Sequence, residues 1–409
     1  MITSPRAVEW KFSGLVSGSM RAEEVQTRCR RWVLLASWVL AILLGTGCVH
    51  RPRSQTRPFR LGLYGIQTNQ MALVREVGFD LVRGPAERGF LDAAQSHGLG
   101  VLAEPGDSAG PKLRPEVVRR TVRRFDRHPA LWSWYLSDEP DLNGIPVEEV
   151  KRAQREVRRA GGTKPTSLVV FEGPSLSEYH QTDILMVDRY PIGWHPLAAY
   201  FQHLRHGGVA AGVGKRRLYG VIQAFDWSYY PDILDVIPGS PLGPPTRDEL
   251  RCMVYGSWIL GVEGLFFYAY DDGRWRMSEH PEVWTGLSDV VREVRTRTSL
   301  FEGRFVPSRL RVRCQDRRRE FNEALEGSLL YGVFEVPTGG GGIEAGHYLA
   351  VVNTAQEELW VRLEGPGVPR GPIPVLGEDR KVLIETGTPI DRLPPHGVTV
   401  YGPFVPIQL

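Results

Sequence analysis

The chain predicts a (β/α)8 TIM barrel over residues 59–301, followed by a C-terminal antiparallel β-sandwich domain over residues 302–409. Three observations carry that prediction. Strand-like and helix-like segments alternate eight times between Phe59 and Phe301. Several of the strand segments are unbroken apolar runs, such as Leu168–Phe171 and Gly264–Tyr270, which suits parallel strands covered on both faces. Beyond Glu302 the helical periodicity stops, and short alternating segments take over. Eight strand–helix units in about 250 residues is the size of a closed barrel.

The first elements belong to targeting. Arg28, Arg30 and Arg31 flank an apolar run, Trp32–Leu44, and Gly45-Thr46-Gly47-Cys48 comes next. The run is shorter than the roughly 20 apolar residues a bilayer-spanning helix needs, and it matches a signal h-region. Small residues ending in cysteine resemble a bacterial lipoprotein cleavage site. That resemblance implies lipidation of Cys48 and an exported body, anchored to the cell envelope on its periplasmic or cell-surface side. The lipoprotein pattern places Leu three residues before the cysteine. Gly45 stands there, with Leu44 one position further back, so ordinary secretion and an uncleaved anchor stay open. Residues 1–48 therefore read as a leader, with Met20 an alternative start. Residues 49–58, rich in Arg and Pro, read as a tether.

The barrel strands are expected at 59–66, 79–84, 99–104, 131–138, 166–172, 183–190, 217–226 and 263–271. Between them, Val118, Val122 and Phe125 form one apolar stripe. Val147, Val150 and Val157 form another, and Trp284, Leu287, Val291 and Val294 a third. Such stripes turn one helix face toward a sheet. A doubly wound fold would want a glycine-rich phosphate loop after its first strand, and Leu61–Gln67 contains no G-x-G-x-x-G. In the C-terminal region, strands are expected at 309–313, 329–335, 348–352, 358–363, 382–385 and 398–405, with the run Gly339–Gly342 as a turn.

Composition narrows the function classes. The net charge is +3, with no lysine block, which argues against a nucleic-acid partner. There is no Cys-x-x-Cys and no Cys/His cluster, so neither a metal nor another cofactor is expected. Cys252 and Cys314 read as two buried free thiols, with a disulfide the alternative in an exported protein. Eleven Trp and 14 Tyr residues suit stacking on sugar faces and equally suit a core.

In a barrel, function gathers at the C-terminal strand ends. Read in order, those ends offer Tyr64, Arg83, Glu104, Asp138 with Glu139, Glu172, Asp188 with Tyr190, Gln223 with Asp226 and Trp227, and Tyr268 with Tyr270 and Asp271. Acids, amides and aromatic rings on one mouth fit a neutral polyol. They do not fit a phosphate, which would want basic groups and backbone amide nests.

One segment is more specific. His128–Pro140 runs from a helix end through an aromatic and aliphatic strand to Asp138-Glu139-Pro140. It resembles the fourth strand of clan-A-like glycoside hydrolases, in a poorly characterised bacterial lipoprotein branch. Their acid/base Glu follows Asn or Asp and often precedes Pro, so the resemblance assigns general acid/base to Glu139. The alternative is a solvated Asp–Glu pair in a turn. The same resemblance places a nucleophilic Glu at the end of strand seven, where this chain reads Val221–Trp227 and has none. Asp226 is the nearest replacement as second catalytic residue; Asp188, Asp271 and Glu172 are other possible partners. Tyr64, Arg83, Asp138, Asp188, Tyr190, Gln223, Trp227, Tyr268, Tyr270 and Asp271 are expected to bind substrate. Tyr348–Thr354 resembles the sandwiches attached to glycosidase barrels, expected to pack on the barrel, with glycan binding the lesser role.

Two functions fit these residues. The first is hydrolysis of an extracellular or envelope polysaccharide, with a carbohydrate substrate and the membrane, through the lipid anchor, as partners. The second is a non-catalytic glycan-binding lipoprotein on a degenerate glycosidase barrel. A scaffold with a purely structural mouth is a third.

Overall fold

The computed structural model describes residues 58–106, 114–214, 216–234, 242–315, 327–369, 371–384 and 390–405. The leader, Cys48 and the tether up to residue 57 lie outside the described residues.

Eight parallel strands close into a barrel in sequence order. They are β1 (Arg60–Leu63), β2 (Leu81–Gly84), β3 (Gly100–Ala103), β4 (Leu131–Asp138), β5 (Thr166–Val170), β6 (Ile184–Val187), β7 (Arg217–Gln223) and β8 (Gly264–Tyr268). Arg60 of β1 pairs with Gly264 of β8 and completes the ring. The covering helices are α1 (Met71–Val77), α2 (Arg88–Ser96), α3 (Pro115–Phe125), α4 (Val147–Arg159), α5 (Leu197–Gly214), α6 (Arg247–Ile259) and α7 (Pro281–Thr296). Their ends obey ordinary rules. α3 opens on Pro115, carries Glu116 in its first turn and closes on Arg123 and Arg124, each charge matched to the helix dipole. α6 opens on a capping box between Thr246 and Glu249. The barrel centre is filled: the Trp132 ring lies 5.6 Å from Tyr219 and 6.4 Å from Phe266.

One connection departs from the expected strand–helix alternation. Between β5 and β6 the chain makes only a 3-10 turn, Gly173–Ser177. Pro174 removes a backbone donor there. Gly173 presses against α5, where a Cβ would stand 2.1 Å from the His203 carbonyl oxygen. The Gly173 N–H instead donates to His203 Nδ1 at 2.9 Å.

The C-terminal strands are β9 (Arg304–Val306), β10 (Arg311–Gln315), β11 (Leu329–Val336), β12 (Gly346–Asn353), β13 (Leu359–Glu364), β14 (Gly371–Pro374), β15 (Lys381–Ile384), β16 (Asp391–Leu393) and β17 (Val398–Phe404). They form a four-stranded sheet β17-β12-β11-β9, a three-stranded sheet β10-β13-β16 and a β14–β15 ribbon. Strand alternation divides their side chains between two cores. Leu349 and Val351 pack into the sandwich with Val312, Cys314 and Val361. Ala350, Val352 and Phe334 join the barrel core. Cys252 and Cys314 are both fully buried.

The junction is specific as well as apolar. Trp258 of α6 stacks on Phe334 of β11 at 3.8 Å and donates its Nε1–H to the Phe301 carbonyl at 3.1 Å. Arg251 of α6 grips Glu293 of α7 and donates to the Val398 carbonyl of β17 at 2.9 Å. Trp258→Ala opens a cavity at this seam and strands a carbonyl. It is expected to cost about 3–5 kcal/mol, read as a lower urea midpoint. A midpoint unchanged from the wild type would mean the seam contributes little.

Candidate active site

The site begins with irregularities in β4. Its register with β3 steps at Trp132, where Val101 faces Leu131 but Leu102 faces Ser133. Its register with β5 steps at Leu136, where Tyr135 faces Ser167 but Ser137 faces Leu168. Each step inserts an extra residue and re-aims the side chains beyond it. Tyr135 and Asp138 thereby come together, and the Tyr135 hydroxyl donates to Asp138 Oδ1. Glu139 then adopts φ +40°, a value uncommon outside glycine. Several bonds hold it there. Its N–H reaches the Val169 carbonyl at 3.1 Å, and the Asn143 N–H reaches its own carbonyl at 2.9 Å. Asp141 accepts from the backbone N–H groups of Phe171 and Glu172, at 3.2 and 2.9 Å, and pins this loop to the end of β5.

In a regular strand Asp138 and Glu139 would point apart. Here the register step and the left-handed turn interrupt that alternation, and the Asp138 charge acts on Glu139.

The partner of Glu139 is Asp188, just after β6. The two carboxyls stand within hydrogen-bond reach. Burial, and then the Asp138 charge, push the Glu139 carboxyl up to about 8, against the opposing hydrogen bond from Asp188. Burial, and then the charge of Glu139, push Asp188 well above the usual carboxylate range. Two buried carboxyls in contact cannot both ionise cheaply, so the pair keeps at least one proton at neutral pH. Glu139 is half-buried and meets solvent at the mouth, whereas Asp188 is only 4% exposed. The Tyr190 hydroxyl donates to Asp188 Oδ2 at 3.3 Å. Asp188 Oδ1 is the one carboxylate oxygen among the described residues that is buried with no fixed donor.

Around the pair lies a basic brace and an aromatic wall. Arg83 is ion-paired with Glu104, and its guanidinium sits 5.1 Å from the Tyr135 ring and 5.8 Å from Tyr64. Tyr190 packs 5.1 Å from Phe225, 5.7 Å from Tyr268 and 6.2 Å from Trp227. Tyr64 lies 5.6 Å from Tyr268. Burial pushes the Tyr64, Tyr190 and Tyr268 hydroxyls upward, so they remain donors at neutral pH. Trp227 is 6% exposed, and its Nε1–H finds no acceptor in the protein.

The remaining expected residues make the following contacts. Gln223 is fully buried and brackets the β6 loop, accepting from the Ile192 N–H at 2.8 Å and donating to the Ile192 and Phe225 carbonyls at 3.1 Å. Asp226 caps a helical turn by accepting from the Ser228 N–H at 2.9 Å. Asp271 accepts from the Gly273 N–H at 2.8 Å. Tyr270 packs edge-on against Trp284 of α7 at 5.3 Å. Residue order alone does not single out Tyr135 and Asp141, which brace the acids. Nor does it single out Tyr230, whose hydroxyl with that of Tyr268 holds Asp272. A cavity of about 570 Å³ lies elsewhere, between α4 and the entries to β6 and β7. It is lined by residues including Lys151, Gln154, Glu178, His180 and Arg216. Its lining among the described residues includes no acid pair.

No family model matches the chain, and no curated protein does. Solved structures do. An α-amylase from Anoxybacillus is 10% identical, with a TM-score of 0.50, over 84% of this chain and 90% of that one. AmyP, in a variant bound to maltotriose, is 7% identical, with a TM-score of 0.50, over 85% and 97%. A GH2 β-galacturonidase from Eisenbergiella tayi is 13% identical, with a TM-score of 0.40; this chain spans 50% of its length. At such identities the first two likenesses show a shared fold and nothing finer, and the third carries no argument.

Proposed function

We propose that the protein is a glycoside hydrolase in which Glu139 is the general acid. The observation that carries this reading is the Glu139–Asp188 pair: two carboxyls in contact at neighbouring strand ends, one of them reachable from solvent, an arrangement that favours keeping at least one proton at neutral pH. Protonating a glycosidic oxygen near pH 7 needs such a carboxyl. Glycan binding alone does not need one. Tyr64, Tyr190, Trp227 and Tyr268 supply ring faces and donors for a sugar, and the fold is shared with glycoside hydrolases. The substrate is an extracellular or envelope polysaccharide, reached by a body exported and anchored at Cys48. The basic flank, apolar run and Gly45–Cys48 support that location. Mass spectrometry of the mature N-terminus should find a lipidated Cys48; an intact leader would remove the anchor. The test of function is release of new reducing ends from a panel of polysaccharides. Wild-type protein should release them from at least one. Retention of glycans with no cleavage on any would favour the binding protein.

A further inference from the structure

Glu139 follows β4 and Asp188 follows β6, so the strand between them sets their spacing. The Glu139 N–H donates to the Val169 carbonyl at 3.1 Å, and the Asp188 N–H donates to the Val170 carbonyl at 3.2 Å. Val169 and Val170 are the last two residues of β5. One short piece of β5 backbone therefore carries both acids. It continues into Phe171 and Glu172 and then turns, with the Gly173 N–H held by His203 Nδ1 at 2.9 Å.

Two side chains grip Phe171 and Glu172, one from each neighbouring strand end. From the β4 end, Asp141 takes the Phe171 N–H on Oδ1 at 3.2 Å and the Glu172 N–H on Oδ2 at 2.9 Å. Each oxygen serves one donor, and hydrogen bonds to an ionised acceptor are the strong ones. Asp141 stands just after Glu139 and Pro140, and the left-handed φ of Glu139, +40°, persists only with such support. From the β6 end, Arg189 directly follows Asp188. Its guanidinium lies 4.5 Å from the Phe171 ring and 5.7 Å from the Trp194 ring. It donates to Glu172 Oε1 at 3.5 Å and to His195 Nε2 at 2.9 Å. Its side chain is 12% exposed, so it is packed between rings and not a solvated surface charge. Among the described residues no hydrogen bond or ion pair joins Asp141 to Arg189; they share Phe171 and Glu172 instead.

We propose, resting on the glycosidase reading above, that Asp141 and Arg189 are positioning residues, a strap across the end of β5 that holds Glu139 against Asp188. A misplacement of about 1 Å can cost on the order of 10²-fold in rate, even when it arises away from the reacting atoms.

The test uses the full-length protein and the variants Asp141→Ala, Asp141→Asn, Arg189→Lys and the double variant Asp141→Ala with Arg189→Lys. On a glycan that the wild type cleaves, kcat should fall roughly tenfold or more in Asp141→Ala and in Arg189→Lys. KM should hardly change, because a displaced acid is missed only as the bond breaks. Lysine keeps the charge of Arg189 without its flat face over Phe171. Asparagine keeps an acceptor oxygen without the charge of Asp141, and it should lose less than alanine. The two losses should not add in the double variant, since both loosen one contact.

The second readout needs no substrate. Asp138 and Asp141 face both acids, and Arg189 and Tyr190 face Asp188, so a shifted pH limb would not tell position from charge. Carbon-13 NMR of the side-chain carboxyls does, because carboxyls in contact share their titration steps. Glu139 and Asp188 should respond together in the wild type and in Asp141→Asn, and separately in Asp141→Ala and Arg189→Lys. Should Asp141→Ala unfold, Arg189→Lys carries both readouts. Shared steps in every variant, with turnover unchanged or with losses that add, would overturn the strap and leave the glycosidase reading standing. Equal losses in Asp141→Asn and Asp141→Ala would assign the effect to charge and overturn it as well. Steps that separate as expected, with no glycan cleaved by the wild type, would keep the strap and defeat the hydrolase.

Discussion

Glu139→Gln is expected to cut turnover by roughly 10²–10⁴-fold, the scale of general acid catalysis, while sugar binding persists. The loss should fall on kcat, because the proton is needed only as the glycosidic bond breaks. The wild-type rate should decline as pH rises through about 8, where Glu139 gives up its proton. The variant's residual rate should lack that limb. Stability from this group should fall in the same direction of pH. Glu139 titrates near 4.5 when unfolded and near 8 when folded, so between those values the folded chain binds more protons than the unfolded one. Stability from this group is therefore full below about 4.5 and is lost as pH rises toward 8. Glutamine carries no such liability and can donate to Asp188. The variant should melt no lower than wild type at pH 8, read by calorimetry. Unchanged turnover would take Glu139 out of the mechanism.

Asp188→Ala is expected to move the same limb to higher pH. Asp188 hydrogen-bonds to Glu139 and opposes the rise of its carboxyl, and the deletion removes that opposition. The pH profile of turnover reads the shift. It separates this role from simple loss of packing, which would lower the rate without moving the limb. A limb that stays in place would mean Asp188 does not govern the Glu139 proton.

The barrel, and the strand end that carries Glu139, can be read from residue order, because both depend on local pattern. Apolar runs such as Leu168–Val170 mark parallel strands wherever they occur, and Asp138-Glu139-Pro140 ends one visibly. The partner cannot be read this way. Asp188 meets Glu139 across β5, and that contact exists only once the barrel closes. Strand parity misplaces Asp138 because a bulge at Leu136 leaves no mark in composition. Gln223 and Asp226 sit where a strand-seven nucleophile belongs, yet local backbone hydrogen bonds claim both. The short strands β9, β14 and β16 lack enough alternation to stand out, and their pairing with longer neighbours defines them.

Catalysis by Glu139 requires a carboxyl at the barrel mouth that holds its proton at neutral pH. Infrared difference titration of the full-length protein, with carbon-13-labelled glutamate and aspartate, measures it directly and needs no substrate. A protonated-carboxyl band is expected at pH 7 that titrates near pH 8 and is missing from Glu139→Gln. A wild-type spectrum with every carboxyl ionised by pH 6 would contradict it.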